Sequence, residues 1–293
     1  MILVVGAHAD PVLGRIVSAL EQNAVPLARI DEHNPRAYRI EYDGHHWRVR
    51  GDACQGCRPV AVILVRHSIQ AATRADRGAW LDLKRALDTM LLATRSRVVN
   101  RPAVDTDNYS KPYQARQLAA AGLRVPSTLV TNIPDEVLRF VAAQGGRVLF
   151  KGVSDRTTVP QMLTLDHLAR IDSVAGCPVQ FQEFIEGDDY RVTVVDDSCV
   201  VTRGVGGEAD CSSAVQKALP GDLLQRCIAC TRDAGLVISG IDLRLRHDGT
   251  ACVFELNPCP AFIHHETDKH PRITGLLVRY LMRHRHEGSD VLV

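Results

Sequence analysis

The sequence predicts an α/β N-terminal domain followed by two α+β lobes, and three observations lead to this fold class. Short apolar segments alternate with amphipathic helical segments over residues 1–95, which is typical of a sheet with helices on its faces. The next segment mixes helices with single strands, and from residue 179 the chain becomes rich in strands. Domains are therefore predicted at 1–95, 96–180 and 181–293.

The first domain opens with a buried strand, because residues 2–5 are continuously apolar and end at Gly6. Asp10 followed by Pro11 has the pattern of a helix N-cap with proline at the first helical position. Asp43-Gly44 predicts a hairpin turn. The remaining elements predicted here are helices at 12–23 and 79–92 and strands at 25–30 and 60–65.

The second and third units are predicted from the same signals. Residues 98–99 begin the second unit, and Gly122 is the expected stop of a helix over 110–121. Asp248-Gly249 joins two strands of a final hairpin. The other elements are strands at 125–130, 148–151, 179–184, 190–195, 199–202, 238–245 and 251–256, and helices at 135–144, 219–234 and 273–283.

Composition excludes several classes of function. A net charge of +1 and a pI near 7.7 provide no general basic surface for nucleic acid or for an anionic membrane. The apolar segments are too short to span a bilayer. Nine cysteines without a secretory signal indicate reduced thiols and a cytoplasmic protein. A homodimer is left open.

Lysine is scarce in this chain, since only five of its 35 basic residues are lysines. Lys111 begins a predicted helix, and Lys151 ends a predicted apolar strand. A lysine at the end of a strand near a domain junction can clamp a phosphate as a point charge. Each lysine alone is equally consistent with an ordinary surface position.

The final hairpin carries a pattern of oxygen ligands. Its two antiparallel strands bring Asp242 and Glu255 onto neighbouring strands, and Asn257 lies two residues beyond Glu255 on the same face. Carboxylate and amide oxygens are the donors that Mg²⁺ requires, with water and phosphate oxygens completing its shell. The alternative is a solvated polar face, but the intervening residues are apolar, which favours a metal site.

Four motifs in sequence order resemble the ATP-grasp superfamily, in particular its branch of ribosomal protein S6 glutamate ligases and ribosomal-peptide maturases. The resemblance covers about two thirds of the chain, from residue 98 to the final helix. The motifs are Val99-Asn100-Arg101-Pro102, Lys111 with Gly122-Leu123-Arg124-Val125-Pro126-Ser127-Thr128, Gln182-Glu183-Phe184-Ile185 with Asp189-Tyr190-Arg191-Val192, and Asp242 with Glu255-Leu256-Asn257-Pro258.

The resemblance implies an ATP-grasp fold in which the nucleotide is bound between the two lobes. It implies ATP with two Mg²⁺ ions, or Mn²⁺ instead, as cofactors. Residue by residue, it implies phosphate contacts from Lys111 and Lys151, adenine contacts from Glu183, Phe184 and Ile185, ribose contact from Asp189, phosphate or acyl-phosphate contacts from Arg191, Arg203 and Arg244, and metal ligation by Asp242, Glu255 and Asn257.

The function that follows is an ATP-dependent carboxylate–amine ligase that forms an amide through an acyl-phosphate. Its first predicted substrates are an amino acid or short peptide with an amine partner. The alternative is a maturase of a ribosomally made precursor peptide, and a non-catalytic nucleotide-binding scaffold is a third hypothesis. Residues 1–95 lack the glycine fingerprint of a dinucleotide-binding domain, so they are expected to close one wall of the acceptor pocket.

Three segments depart from the family pattern, and two of them bear on the substrate. Residues 152–160 lack a glycine-rich phosphate loop, residues 206–212 lack an Asp-aromatic-Arg element, and Cys259-Pro260 replaces a glycine-containing turn. The pairs Cys54/Cys57 and Cys227/Cys230 have the internal spacing of zinc ligands but lie about 170 residues apart, which argues against a shared site. His264-His265-Glu266 is expected to be a loop beside the active site.

Overall fold

A computed structural model describes residues 1–51, 54–67, 73–102, 111–153, 160–204, 209–267 and 270–293. Its strands are β1 (Ile2–Gly6), β2 (Leu27–Asp31), β3 (Arg39–Tyr42), β4 (Trp47–Gly51), β5 (Cys54–Gln55), β6 (Val62–Arg66), β7 (Arg97–Val99), β8 (Thr128–Thr131), β9 (Val148–Gly152), β10 (Gln161–Met162), β11 (Val179–Glu183), β12 (Asp188–Val195), β13 (Ser198–Arg203), β14 (Ile238–Leu245), β15 (Ala251–Asn257) and β16 (Val291–Leu292). Its α-helices are α1 (Pro11–Gln22), α2 (Arg77–Ala93), α3 (Lys111–Ala120), α4 (Pro134–Ala143), α5 (Leu165–Leu168), α6 (Ser213–Gln216), α7 (Gly221–Asp233) and α8 (Arg272–Arg283).

The N-terminal unit is built on a parallel sheet in the order β2-β1-β6-β7. Alternate residues of β1 enter two different cores: Ile2 packs with α1 and α8, whereas Leu3 packs with α2. Both faces of the sheet are therefore buried, which is why its strands are continuously apolar. The predicted N-cap is confirmed, because Asp10 Oδ1 accepts hydrogen bonds from the first turn of α1.

Two features of this unit differ from the prediction. Val98 and Val99 were expected to begin the second unit, but β7 continues the first sheet by pairing with β6. The C-terminal strand β16 returns to pair with β4, and α8 packs against α1. An apolar segment indicates that a strand or helix is buried, but it does not indicate which element covers it. The pairing of β7 with β6, the pairing of β16 with β4 and the packing of α8 on α1 could therefore not be predicted from the sequence.

The central lobe is an antiparallel sheet in the order β10-β9-β11-β8. One face packs against α4 and the 3-10 helix Ile171–Gly176, around Val137, Val174 and Phe181. Strand β11 belongs to this sheet through Glu183, so the sheet extends past the predicted boundary at residue 180.

The C-terminal lobe is an antiparallel sheet in the order β13-β12-β14-β15, with α7 covering one face. The Asp248-Gly249 hairpin is confirmed, and Gly249 takes the positive φ of 79° that favours glycine at this turn. Helix α3 packs on β15 and adds Leu118 to the core of this lobe. Ser110, the predicted first residue of that helix, lies outside the described residues. None of the described helices has both the length and the apolar character needed to cross a membrane.

Candidate functional site

One face of the C-terminal sheet carries charged side chains, and we call it the charged face: Asp189, Arg191, Asp242, Arg244, Glu255 and Asn257. The strand register places Arg191 opposite Asp242, Asp189 opposite Arg244, and Asp242 opposite Glu255. Side chains alternate between the two faces of a strand, so these register partners share one face. The sequence prediction that Asp242 and Glu255 are neighbours is confirmed.

Arg191 and Asp242 form a two-pronged ion pair on the charged face. Arg191 Nε donates to Asp242 Oδ1 and Nη2 donates to Oδ2, both at 2.6 Å, and the two side chains are only 11% and 17% exposed. Burial raises the pKa of Asp242 against the opposing charge of Arg191. Burial lowers the pKa of Arg191, but Asp242 and Glu255 more than offset burial and raise it. The Arg191 cation and the Asp242 carboxylate can thus remain charged in this buried position because each neutralises the other.

Arg244 pairs with Asp189 on the charged face and also contacts the segment that connects the two lobes. Its Nε donates to Asp189 Oδ1 at 2.7 Å, and its Nη1 donates to the carbonyl of Ile185 at 2.6 Å. The guanidinium also lies 5.9 Å from the ring centre of Phe184 and 5.6 Å from that of Phe254. Arg244 therefore braces the segment that follows β11 against the charged face.

Helix α3 is fastened to strand β15 by a buried glutamine. Gln114 donates to the carbonyl of Leu256 at 2.5 Å and accepts from its N–H at 3.0 Å. Lys111, one turn earlier, forms an ion pair with Glu255 Oε2. Asn257 Oδ1 accepts from Cys259 N at 2.9 Å, which fixes the turn after β15. The sequence named Lys111 and Glu255 but missed Gln114.

The central lobe supplies a second lysine to the same place. Burial and the positive charge of Lys111 lower the pKa of Lys151, while Glu255 opposes the shift. Lys151 of the central lobe therefore interacts electrostatically with Lys111 and Glu255 across the gap between the two lobes. Gln180 is its register partner on β11, and the buried Oε1 of Gln180 has no hydrogen-bond partner among the described residues. The sequence missed Gln180, although a glutamine inside an apolar strand is a usable signal.

The predicted adenine segment lies between the two lobes. Glu183 Oε2 accepts from Ser127 N at 3.2 Å, and Phe184 N donates to the carbonyl of Arg147 at 3.0 Å. Arg147 also lies 4.7 Å from the ring centre of Phe184. These contacts hold the segment in a fixed position, and its role toward a base stays a prediction.

Arg203 does not join the charged face. Its register partner is Tyr190, which enters the core of the lobe, whereas the preceding residue Thr202 is the partner of Arg191. Arg203 is half exposed and pairs with Asp188 at 2.9 Å. The strand register therefore gives no support to the predicted phosphate contact from Arg203.

The N-terminal unit reaches the turn after β15 through one arginine. Arg66 Nη1 donates to the carbonyls of Cys259 and Pro260, both at 3.1 Å, and its Nε donates to Asp10 Oδ2 at 2.6 Å. The carboxyl end of the parallel sheet thus lies against the edge of the site. This placement is consistent with the predicted wall of the acceptor pocket.

The residues present fit a Mg²⁺–polyphosphate. Asp242, Glu255 and Asn257 offer hard oxygen donors, while Lys111, Lys151 and Arg191 bring three positive charges against the two carboxylates. No group of three or more His, Cys, Asp or Glu residues in the described part of the chain could hold a metal by itself. Mg²⁺ commonly completes its shell with water and substrate phosphates, so two carboxylates are sufficient.

None of the four cysteines considered for zinc forms a disulfide in the described part of the chain. Burial raises the pKa of Cys227 to about 12 and that of Cys230 to about 11, so both thiols are neutral in the metal-free chain.

Solved structures with the same fold align with nearly the whole chain. ATP-grasp ligase PsnB, complexed with precursor peptide PsnA2 and AMPPNP, is 28% identical, with 97% of each chain covered and a TM-score of 0.79. PsnB complexed with minimal precursor, Mg and ADP is 26% identical, with 97% of each chain covered and a TM-score of 0.80. Macrocyclase MdnC from Microcystis aeruginosa MRC, bound with precursor peptide MdnA, is 17% identical, covers 97% of this chain and 99% of its own, and has a TM-score of 0.81. No protein-family model and no curated protein matches the chain.

Proposed function

This chain has the ATP-grasp fold and is an ATP-dependent carbon–nitrogen ligase, and we propose that its substrate is a ribosomally made precursor peptide. The enzyme uses ATP and Mg²⁺. The proposed reaction begins when a peptide carboxylate attacks the γ-phosphate of ATP, which releases ADP and leaves an acyl-phosphate. An amine then attacks the acyl carbon, phosphate leaves, the amine loses a proton, and an amide remains.

The single observation that carries the peptide proposal is the distribution of exposed apolar side chains. Five of the eight large hydrophobic residues exposed in the described part of the chain lie in the central lobe. They are Val130, Ile133, Leu138, Met162 and Leu165, with Leu165 83% exposed. Exposed apolar side chains on one lobe favour a peptide partner over a free amino acid, which would need none of them.

The charged face supports a division of labour at the reaction centre. We assign the phosphates to Lys111 and Lys151, and the developing acyl-phosphate to Arg191. Asp242, Glu255 and Asn257 would hold Mg²⁺, which neutralises phosphate charge when bound. Catalysis by positioning and charge neutralisation needs no side-chain nucleophile.

The nucleotide assignment follows the same contacts. We place the adenine beside Glu183, Phe184 and Ile185, with Gln180 as an additional acceptor. Asp189 would meet the ribose. Arg244 contacts Asp189 and the Ile185 carbonyl, so we assign it the role of holding this segment instead of a direct role on the phosphates.

The test is an ADP-release screen with Mg·ATP and three probe sets: free amino acids, dipeptides, and synthetic precursor peptides encoded beside the gene for this chain. Stimulation by a precursor peptide, with a product lighter by one water for each new intramolecular amide, supports the proposal. Stimulation by amino acids or dipeptides alone would establish the small-substrate ligase instead. ATP binding without stimulation by any carboxylate would favour the scaffold hypothesis.

A further inference from the structure

His265 is a buried histidine at the end of the 3-10 helix Phe262–His265, which follows the metal-site turn. It is 5% exposed. Its Nε2 lies 3.3 Å from Arg191 Nη1, and its Nδ1 lies 2.9 Å from Thr202 Oγ1. Since Arg191 is on β12 and Thr202 is on β13, the imidazole contacts two neighbouring strands of the C-terminal lobe.

The donors around His265 determine which ring nitrogen carries the proton. A guanidinium has only N–H donors, so Nε2 must present its lone pair to Arg191. The proton is then on Nδ1, where it is donated to Thr202 Oγ1. The Thr202 hydroxyl can in turn donate to the carbonyl of Arg191, 3.5 Å away. The three residues form a closed ring of hydrogen bonds that begins and ends at Arg191.

We propose that neutral His265 is a positioning residue that fixes the Arg191 guanidinium for catalysis. This inference rests on the proposed role of Arg191 toward the acyl-phosphate. Asp242 holds Nε and Nη2 of the guanidinium, and His265 holds Nη1, so all three nitrogens have a protein partner. Three of the five N–H groups are used in this way, which leaves two without a partner among the described residues and available to an anion.

The charges that face the imidazole favour its neutral form. Arg191 approaches from β12 and His264 precedes it in the same turn, while Thr202 from β13 is uncharged. Burial, followed by the charges of Arg191 and His264, lowers the pKa of His265 to about 4. A protonated His265 would turn an N–H toward the guanidinium and break the ring of hydrogen bonds.

Three substitutions separate the two hydrogen bonds. His265→Gln places an amide oxygen near the position of Nε2 and preserves the acceptor for Arg191. His265→Asn places its amide near Nδ1 and preserves only the contact with Thr202. His265→Leu removes both. His264→Gln is the matched control, because His264 is the exposed histidine of the same turn.

A positioning role predicts an effect on kcat with little effect on KM. We expect kcat to fall about 10-fold to 100-fold in His265→Asn and His265→Leu, while KM for ATP changes less than about threefold. His265→Gln should retain kcat within about threefold of the wild type, as should His264→Gln. Equal losses in all three His265 variants, or an unchanged kcat in His265→Leu, would overturn the inference.

The measurements are chosen so that they do not depend on finding the peptide. Basal ADP release from Mg·ATP, with water as the acceptor, is measured beside peptide-stimulated release. Absence of any peptide stimulation contradicts the proposed function and leaves the second readout, which needs no acyl-phosphate, to decide the inference about His265. As a second readout, ¹⁵N NMR of the imidazoles should show the neutral Nδ1–H form of His265 at neutral pH. Its Nε2 signal should shift in Arg191→Lys, and an Nε2–H or doubly protonated ring would refute the inference without any activity assay.

Discussion

Asp242→Asn is expected to destabilise the C-terminal lobe far more than Glu255→Gln, although both substitutions remove a proposed metal ligand. Asp242 accepts two hydrogen bonds from Arg191 at 2.6 Å, and both side chains are largely buried. The amide of asparagine cannot accept both bonds, and it leaves Arg191 as a buried cation without its counterion. Breaking a buried ion pair from one side costs about 3–5 kcal/mol of stability.

Glu255→Gln provides the matched comparison. Glu255 is 25% exposed, and its partner Lys111 is 18% exposed and lies at the start of a helix. The glutamine carbonyl still accepts from the lysine ammonium, so we expect a loss of about 1 kcal/mol, in the range of ion pairs near the surface.

Hydrogen exchange followed by mass spectrometry measures this difference locally. A loss of 3–5 kcal/mol corresponds to exchange faster by about 100-fold or more in peptides from β12 and β14, because each 1.4 kcal/mol is a factor of ten. In Glu255→Gln the same peptides should exchange about fivefold faster. Turnover should be lost in both variants, and retention of Mg²⁺-dependent ADP release in either one would contradict the metal assignment.

A double variant tests the cause. Arg191→Met combined with Asp242→Leu replaces the buried pair by apolar side chains, and such replacements are often neutral or stabilising. We expect exchange in the double variant to return close to the wild-type rate while turnover stays absent. Exchange as fast as in Asp242→Asn alone would refute the reasoning, because the loss would then come from packing and not from the unpaired charge.

Three further predictions concern other parts of the molecule. Lys151→Arg should lower kcat/KM about 10-fold or more, since a planar fork does not replace a point charge at the half-buried position proposed to bind phosphate, while the exposed Lys217 provides the control Lys217→Arg in the same ADP-release assay. The carboxylates of Asp88 and Glu32 outweigh burial and raise the pKa of His67 above 6.5, so the stability of the N-terminal unit should be greatest below that pH and fall as pH rises through the raised pKa. His67→Gln should flatten this dependence in thermal unfolding followed by tryptophan fluorescence, and an unchanged slope would exclude His67 as its source. Ile133→Asp combined with Leu138→Asp should raise KM for a precursor peptide while leaving basal ADP release unchanged, and an unchanged peptide KM would remove the central lobe as the docking surface.

Local signals accounted for the elements that the sequence predicted well. Each of these elements depends on a few adjacent residues. They are the cap at Asp10-Pro11, the turns at Asp43-Gly44 and Asp248-Gly249, and the helix stop at Gly122. The Asp242–Glu255 pair belongs to the same class, because one short hairpin determines which residues face each other. For this reason the juxtaposition of the two carboxylates could be predicted without a structure.

Strand register could have excluded Arg203 from the charged face. The two-residue turn at Asp196-Asp197 sets the pairing of β12 with β13, and this pairing places Thr202 opposite Arg191. Shifting by one residue moves a side chain to the other face of the sheet. The family resemblance alone did not carry that information.

The sequence by itself determined most of the longer elements, the hairpin that holds the proposed metal-binding carboxylates and the resemblance that led to an ATP-dependent ligase. Only the tertiary structure decided which distant residues complete the site: Gln114 on Leu256, Lys111 on Glu255 and His265 on Arg191 are separated by 142, 144 and 74 positions. Hydrophobic periodicity encodes that a face is buried but not what covers it. The scarce lysines could be identified in the sequence, whereas the buried residues Gln114 and His265 could be assigned to the site only from the folded structure.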